Sequence, residues 1–89
     1  MVLPLYLYGG IDVQKTVDKL SPREKGRVIK LGSSGDLRRR IIDMGITTGV
    51  EITMVKIAPM GDPIQINVRS YELSIRKSEA KEIIVEVVD

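Results

Sequence analysis

The stretch DLRRRIIDMGITTG, residues 36–49, most constrains the fold because it contains a complete helix signal. Ser33 is the predicted N-cap, and Asp36 three residues later resembles the acidic partner of a capping box. The positions i, i+4 and i+7 that follow are all apolar and form one stripe: Leu37, Ile41 and Met44. This pattern predicts an amphipathic helix over residues 35–44.

Two glycines mark the end of this helix. Gly45 suits the left-handed C′ position, with Ile46 placed to pack back on Ile41 as in a Schellman motif. Gly49 closes a Thr-Thr-Gly turn that leads into the next apolar run. A helix of roughly two to three turns is marginal in water by itself. We therefore expect it to pack against other elements, and the sequence around it predicts strands.

Alternating apolar and polar residues predict most of these strands, at residues 25–31, 50–57, 64–68, 71–75 and 83–88. Only Arg69 and Ser70 separate the third and fourth runs, which predicts an antiparallel hairpin. Within residues 50–57 the apolar phase changes, which indicates a bulge or a bend. A helical turn is predicted at residues 77–82. About five short strands with one inserted helix favour a mainly β fold, a small and partly open barrel.

The N-terminal residues differ from the rest and are predicted to be an extension, residues 1–15, before a domain at residues 16–89. Leu3, Leu5 and Leu7 alternate with Pro4 and other residues, which indicates an edge strand or an extended arm. Either the arm packs on its own domain or it docks on another chain, so it is a candidate for self-association. Val13, Val17 and Leu20 then predict a helical turn ending at Ser21-Pro22.

Composition excludes several kinds of chemistry. The chain has no cysteine and no histidine, which removes thiolate nucleophiles and the commonest general base and metal ligand. Its carboxylates are scattered among basic residues and form no evident acid–base pair. We therefore predict no enzymatic activity, no cofactor and no metal site. A net charge of +2 gives no argument for nucleic acid, and no apolar run is long enough to span a membrane.

The predicted helix also carries the candidate partner-binding residues Arg38 and Ile42. Both lie off the core stripe, where an apolar side chain beside a planar cation suits an interface. Two simpler interpretations stay open: the arginine run 38–40 is a solvated face, or a loop covers Ile42. Arg39 is placed to pair with Asp43 at i+4.

The loop APMGDP, residues 58–63, contributes the third candidate contact residue, Met60 at its tip. Pro59 and Pro63 are predicted to fix its ends and Gly61 to permit a positive φ. Asp62 is predicted to bond local amides. No following helix or Walker pattern supports a phosphate loop.

Three motifs in order resemble the ferrous iron transport protein A family, FeoA. The family's helix-to-turn motif corresponds to Met44, Gly45, Ile46 and Gly49. Its Pro–x–Gly–Asp–Pro loop corresponds to Pro59, Gly61, Asp62 and Pro63, and its Leu–Arg–x–x–Glu–Ala segment to Ile75, Arg76, Glu79 and Ala80. The resemblance covers about residues 16–88.

This resemblance implies an SH3-like barrel and a cytoplasmic accessory role beside FeoB, the ferrous iron transporter with a GTPase domain. The same barrel is similar to the C-terminal domain of DtxR-type iron-dependent repressors, which makes a metal-responsive regulatory module the alternative. Arg23 and Ser70 depart from the family, which usually has glycine at both positions. Residues 1–15 also exceed a typical family start.

Overall fold

Six antiparallel strands form one sheet in the computed structural model, which describes residues 13–32 and 34–88. Their bounds are β1 Gln14–Thr16, β2 Lys25–Leu31, β3 Glu51–Ile57, β4 Ile64–Val68, β5 Tyr71–Ile75 and β6 Ile83–Val88. The strand order is β1-β6-β2-β3-β4-β5, so the sheet does not close among these strands. The predicted mainly β fold, a partly open barrel, is confirmed, with six strands where about five were expected.

Two α-helices and one 3-10 helix connect the strands. Helix α1 spans Gly35–Asp43 between β2 and β3, and α2 spans Lys77–Ala80 between β5 and β6. The 3-10 helix spans Val17–Lys19. The inserted helix therefore lies where the sequence predicts it. None of the helices in the described residues is long and apolar enough to cross a membrane.

The core is aliphatic and lies on one face of the sheet. Alternation in β4 gives buried Ile64, Ile66 and Val68, while the residues between them are partly exposed. The other buried apolar residues are Val17, Leu20, Val28, Leu31, Ile41, Ile46, Val50, Ile52, Met54, Ile75, Ala80, Ile83 and Val85. Burial of such side chains contributes roughly 1.5–3 kcal/mol each, so this cluster is the main source of stability.

Local irregularities fit the sequence patterns. The register of β3 against β4 shifts between Met54 and Lys56, where the change of apolar phase predicted a bulge. The hairpin of β4 and β5 pairs Val68 with Tyr71, as expected from its two-residue turn. A second shift, between Val28 and Lys30 on β2, was not predicted.

The predicted helical turn before Ser21 is only partly correct. Residues 17–19 are helical, but Gln14–Thr16 form β1 and pair with β6. Val13 is 46% exposed rather than part of a buried stripe. The i, i+4, i+7 spacing misleads here because a short strand precedes the turn. The alternating leucines at residues 3–7 lie outside the described residues.

Candidate interaction site

The N-terminus of α1 differs from its sequence prediction. Ser34, with an extended backbone, is the N-cap, and its side chain makes no capping hydrogen bond. The predicted cap, Ser33, lies outside the described residues. Asp36 remains in the first turn, where its carboxylate suits the positive end of the helix dipole.

The predicted core stripe of α1 packs on the sheet. Ile41 is completely buried, and Leu37 and Met44 are partly buried against the core cluster. At about 100° per residue, this orientation turns Arg38 and Ile42 to one flank and Arg40 to the other. The packing of α1 on the sheet therefore determines in which direction each side chain of the arginine run 38–40 points.

The C-terminus of α1 is a Schellman motif, as predicted. The Ile46 amide donates to the Ile41 carbonyl at 3.3 Å, and the Gly45 amide donates to the Ile42 carbonyl at 2.9 Å. Gly45 has φ +92°, which a side chain would make unfavourable. Gly49 also has a positive φ, +94°, and its amide donates to the Val28 carbonyl.

The tip of the β4–β5 hairpin fastens this end of α1, a contact that the sequence did not reveal. The Tyr71 hydroxyl donates to the Met44 carbonyl at 3.1 Å. Arg69 donates from Nε to the Gly45 carbonyl at 3.3 Å and from Nη2 to the Thr47 hydroxyl at 3.4 Å. These bonds satisfy carbonyls left free at a helix end, so the orientation of α1 depends on the hairpin.

The outward side of α1 carries a shallow depression of about 290 Å³, lined by Gly35, Arg38, Arg39 and Ile42. Ile42 is 40% exposed, so no loop within residues 13–32 and 34–88 covers it, contrary to the alternative interpretation of that residue. An exposed isoleucine between arginines combines apolar area with charge. We call Arg38, Arg39 and Ile42 the α1 face.

The opposite flank of α1 is occupied by an ion pair. Arg40 Nη2 lies 3.1 Å from Glu79 Oε2, and Glu79 is 4% exposed. The other oxygen, Oε1, accepts the Arg76 amide at 2.8 Å. The expected pair of Arg39 and Asp43 is not among the ion pairs of the described residues. The predicted pair within α1 is therefore wrong. The arginine that forms an ion pair is Arg40, and its partner lies on α2 and not one turn away on the same helix.

The loop at residues 58–63 is held at three points. The Ala58 amide donates to the Pro63 carbonyl at 3.0 Å, and the Gly61 amide donates to the Ala58 carbonyl at 2.7 Å. Gly61 has the predicted positive φ, +88°. Asp62 Oδ1 accepts the Lys77 amide at 3.0 Å, so its amide partner is distant in sequence, not local as expected. Met60, 92% exposed, projects from a fixed loop.

The three predicted contact residues do not form one patch. Arg38 and Ile42 line the same depression. Met60 belongs to the loop that Asp62 joins to α2, and α2 contacts the Arg40 flank of α1 through Glu79. Helix α2 thus links the Met60 loop to the flank of α1 that lies opposite the α1 face. No group of three or more His, Cys, Asp or Glu residues that could hold a metal occurs in the described part of the chain.

Comparison with known proteins identifies the family. The family model described as the FeoA domain matches residues 15–87. The chain belongs to the FeoA family. Among curated proteins, a fusion of Fe(2+) transport protein A with the Fe(2+) transporter FeoB, from Porphyromonas gingivalis, is 31% identical over 72 residues. The match covers 81% of this chain but only 8% of the fusion protein.

Solved FeoA structures share the fold. The FeoA-like protein from Clostridium acetobutylicum has 45% identity and a TM-score of 0.80, covering 85% of this chain and 88% of that chain. The zinc-complexed FeoA of Stenotrophomonas maltophilia, described as a prokaryotic SH3 domain protein, has 27% identity and a TM-score of 0.70, covering 80% and 88%. The expected SH3-like fold is therefore confirmed.

Solved structures of a manganese-dependent transcriptional repressor also share this fold, at 12% and 13% identity. IdeR from T. acidophilum has 18% identity and a TM-score of 0.75, covering 99% of this chain and 37% of that chain. At this identity the match shows the fold alone.

The two departures from the FeoA pattern fall at strained backbone positions. Arg23 has φ +73° and Ser70 has φ +77°, conformations that glycine adopts without cost. The turn geometry is therefore kept although the glycines are replaced. Of the remaining motif residues, Ala80 is fully buried and Arg76 is the exposed N-cap of α2.

Proposed function

We propose that this FeoA domain is a non-enzymatic interaction module that binds a FeoB-type ferrous iron transporter on its cytoplasmic, GTPase-bearing side. The observation that carries the proposal is the P. gingivalis fusion, in which an Fe(2+) transport protein A and FeoB share one polypeptide. Covalent fusion of two proteins favours a working contact between them. The chain corresponds to only 8% of that fusion, so the transport step is assigned to the partner.

The α1 face is the proposed principal contact surface. Its depression is open, Ile42 supplies apolar area, and Arg38 supplies a planar donor for an acidic group. Interfaces are enriched in arginine, and their energy is concentrated in a few anchors. The attachment of the C-terminal end of α1 to the hairpin lowers the entropy lost on binding. Met60 on the fixed loop is the proposed second contact.

Replacing Ile42 with Asp tests this surface. Ile42→Asp places a carboxylate where the partner would bury an apolar side chain, and we expect the affinity for the transporter's soluble GTPase domain to fall about tenfold or more, equal to about 1.4 kcal/mol. Isothermal titration calorimetry measures the affinity, and circular dichroism checks the fold.

A matched control comes from Ile29, which is 36% exposed on β2 and belongs to neither proposed surface. Ile29→Asp introduces the same chemistry at nearly the same exposure and is expected to leave the affinity unchanged. An Ile42→Asp variant that is folded and binds as tightly as the parent chain rules out the α1 face.

The fold shared with IdeR supports a second candidate, a metal-responsive regulatory module. This candidate predicts binding of Fe²⁺ or Mn²⁺ to the domain alone. Anaerobic calorimetric titration with each ion decides between the two, because the interaction module requires no metal for binding its partner. Saturable micromolar binding of either ion favours the regulatory module.

A further inference from the structure

Another open depression, of about 600 Å³, lies along the sheet and shares no lining residue with the α1 face. Its lining residues are Arg23, Lys25, Thr53, Met54, Val55 and Asn67. The volume is within the range of small-molecule sites, about 300–1,000 Å³. We call it the sheet groove. Nothing in the proposed contact with a transporter uses these residues.

Strand register explains why polar side chains line the sheet groove. Lys25 pairs with Thr53 across β2 and β3, and Thr53 pairs with Asn67 across β3 and β4. Residues paired in this way point to the same face of a sheet, here opposite the buried side chain of Met54. At about 4.8 Å per strand, the row extends about 10 Å and offers an ammonium, a hydroxyl and an amide.

Arg23 adds a guanidinium to the Lys25 end of this row. Its amide donates to the Met54 carbonyl at 2.7 Å, and the Glu24 amide donates to the Ser21 carbonyl at 2.9 Å, so a tight turn fixes its position. The turn holds Arg23 at φ +73°, where glycine would be unstrained. Strained backbone conformations are concentrated at functional sites, so a strained arginine beside a depression favours a binding role for its side chain.

The charges near the sheet groove leave Arg23 available. Within residues 13–32 and 34–88 no carboxylate forms an ion pair with it. Lys25 has only a loose pair with Glu51, 3.9 Å apart, and both side chains are about half exposed. Glu72, the residue opposite Asn67, accepts a hydrogen bond from Gln65 at 2.8 Å. The groove therefore has excess positive charge at one end.

We propose that the sheet groove binds a small soluble phosphorylated molecule. The guanidinium of Arg23 takes two phosphate oxygens, and the Lys25 ammonium takes a third. Thr53 and Asn67 bind the hydroxyl groups of the uncharged part along the row. The two cations at the Arg23 end suit a phosphate, which offers more acceptor oxygens than a carboxylate.

The experiment is an NMR titration of the ¹⁵N-labelled chain with ribose 5-phosphate and, separately, with inorganic phosphate. We expect saturable shifts at residues 23–25, 53 and 67, and tighter binding of ribose 5-phosphate than of phosphate. Sodium chloride at equal ionic strength is the blank. Shifts that match this blank overturn the proposal.

Arg23→Gly is the decisive variant because it keeps the turn and removes the guanidinium. It should weaken ribose 5-phosphate binding about tenfold or more while raising the melting temperature, since glycine relieves the strain. Arg69→Gly is the matched control, because Arg69 also has a positive φ, +51°, but lies outside the groove. It should leave the affinity unchanged.

Unchanged affinity in Arg23→Gly contradicts the site. Vesicles of phosphatidylglycerol test the other source of a phosphate group. Co-sedimentation with these vesicles, without binding of ribose 5-phosphate, overturns the assignment to a soluble ligand.

Discussion

The Tyr71 hydroxyl and the absence of a side chain at Gly45 together shape the C-terminal end of α1. The Tyr71 hydroxyl bonds the Met44 carbonyl, and a Cβ built on Gly45 would lie 2.7 Å from that same hydroxyl. Gly45 is thus required twice, by its φ of +92° and by the close approach of Tyr71. Gly49 has a similar φ, +94°, but no atom within 4 Å of its built Cβ.

This difference gives a paired prediction. Gly49→Ala should cost about 1–2 kcal/mol of unfolding free energy, since only the backbone conformation is unfavourable. Gly45→Ala should cost about 2–4 kcal/mol, because displacement of Tyr71 adds to the same backbone cost. Urea denaturation followed by circular dichroism measures both.

Tyr71→Phe separates the two contributions at Gly45. In the Tyr71→Phe background the clash is removed, so Gly45→Ala should cost no more than Gly49→Ala. Equal costs for the two glycine variants in the parent chain would show that the hydroxyl does not restrict position 45.

Residue patterns in the sequence predicted the apolar stripe of α1 and the hydrogen bonds at its C-terminus, but the predicted pair of Arg39 and Asp43 is not found among the described residues. The stripe of Leu37, Ile41 and Met44, and the bonds of Gly45, follow from helix periodicity and from glycine chemistry. The bond from Tyr71 to Met44 joins residues 27 positions apart. No periodicity encodes such a bond, since it depends on where the hairpin tip lies in three dimensions.

Among the elements, the four residues of α2 have more contacts than their length suggests. The Lys77 amide holds Asp62 of the loop, and Glu79 holds Arg40 of α1. Glu79 also accepts the amide of Arg76 before the helix. The almost buried carboxylate has two partners among the described residues, the Arg76 amide and the charged Arg40, so its removal leaves the Arg76 amide without its acceptor.

Glu79→Ala should therefore destabilise the domain by about 2–3 kcal/mol. Arg40→Ala should cost about 0.5–1 kcal/mol, because the arginine is 56% exposed and water can take its place beside the Glu79 carboxylate. Arg39→Ala, the neighbouring exposed arginine, is the control and should change stability by less than about 0.5 kcal/mol. Urea denaturation provides the comparison, and equal effects of Arg39→Ala and Arg40→Ala would contradict a role for the ion pair.

Elements with strong alternation were predicted with nearly correct bounds, as β2, β4 and β5 show. Strand β1 was missed because it has three residues and no buried side chain. Its conformation is imposed by pairing with β6, an effect of the fold and not of local preference. The periodicity of one helix is enough to predict that Arg38 and Ile42 of the α1 face are exposed. The sheet groove could not be predicted in this way, because its residues come together only through the register of three strands.

At the scale of the whole molecule, one carboxylate links β1 to the turn before β2, in addition to the pairing of β1 with β6. Glu24 Oε1 accepts the Ser21 amide at 2.9 Å and pairs with Lys15 of β1 at 3.0 Å. The hydrogen bond from the Ser21 amide, followed by that from Lys15, lowers the pKa of Glu24 below its ordinary value. The charged form is therefore favoured in the folded chain.

Because the pKa of Glu24 is lower in the folded chain than in the unfolded chain, its charged form stabilises the fold at any pH above the unfolded-state pKa of about 4.3. This stability is lost as the pH falls from there through the folded pKa. We expect Glu24→Gln to reduce the unfolding free energy at pH 7 and to flatten its decline below about pH 4.3. Thermal unfolding from pH 7 to pH 3 measures the slope. An unchanged slope in the variant would exclude Glu24 as a source of acid sensitivity.

The strand order has a consequence for biosynthesis. Strand β6 lies between β1 and β2 and pairs with both. A ribosome makes residues 83–88 after the other five strands of this described sheet, so β1 has no partner until then. Contacts between such distant parts of a chain form late and slowly. Strands β2 to β5 can pair with one another before then, but β1 and one edge of β2 stay unpaired until β6 is made, and chaperones that hold unpaired strands have their substrate in that interval.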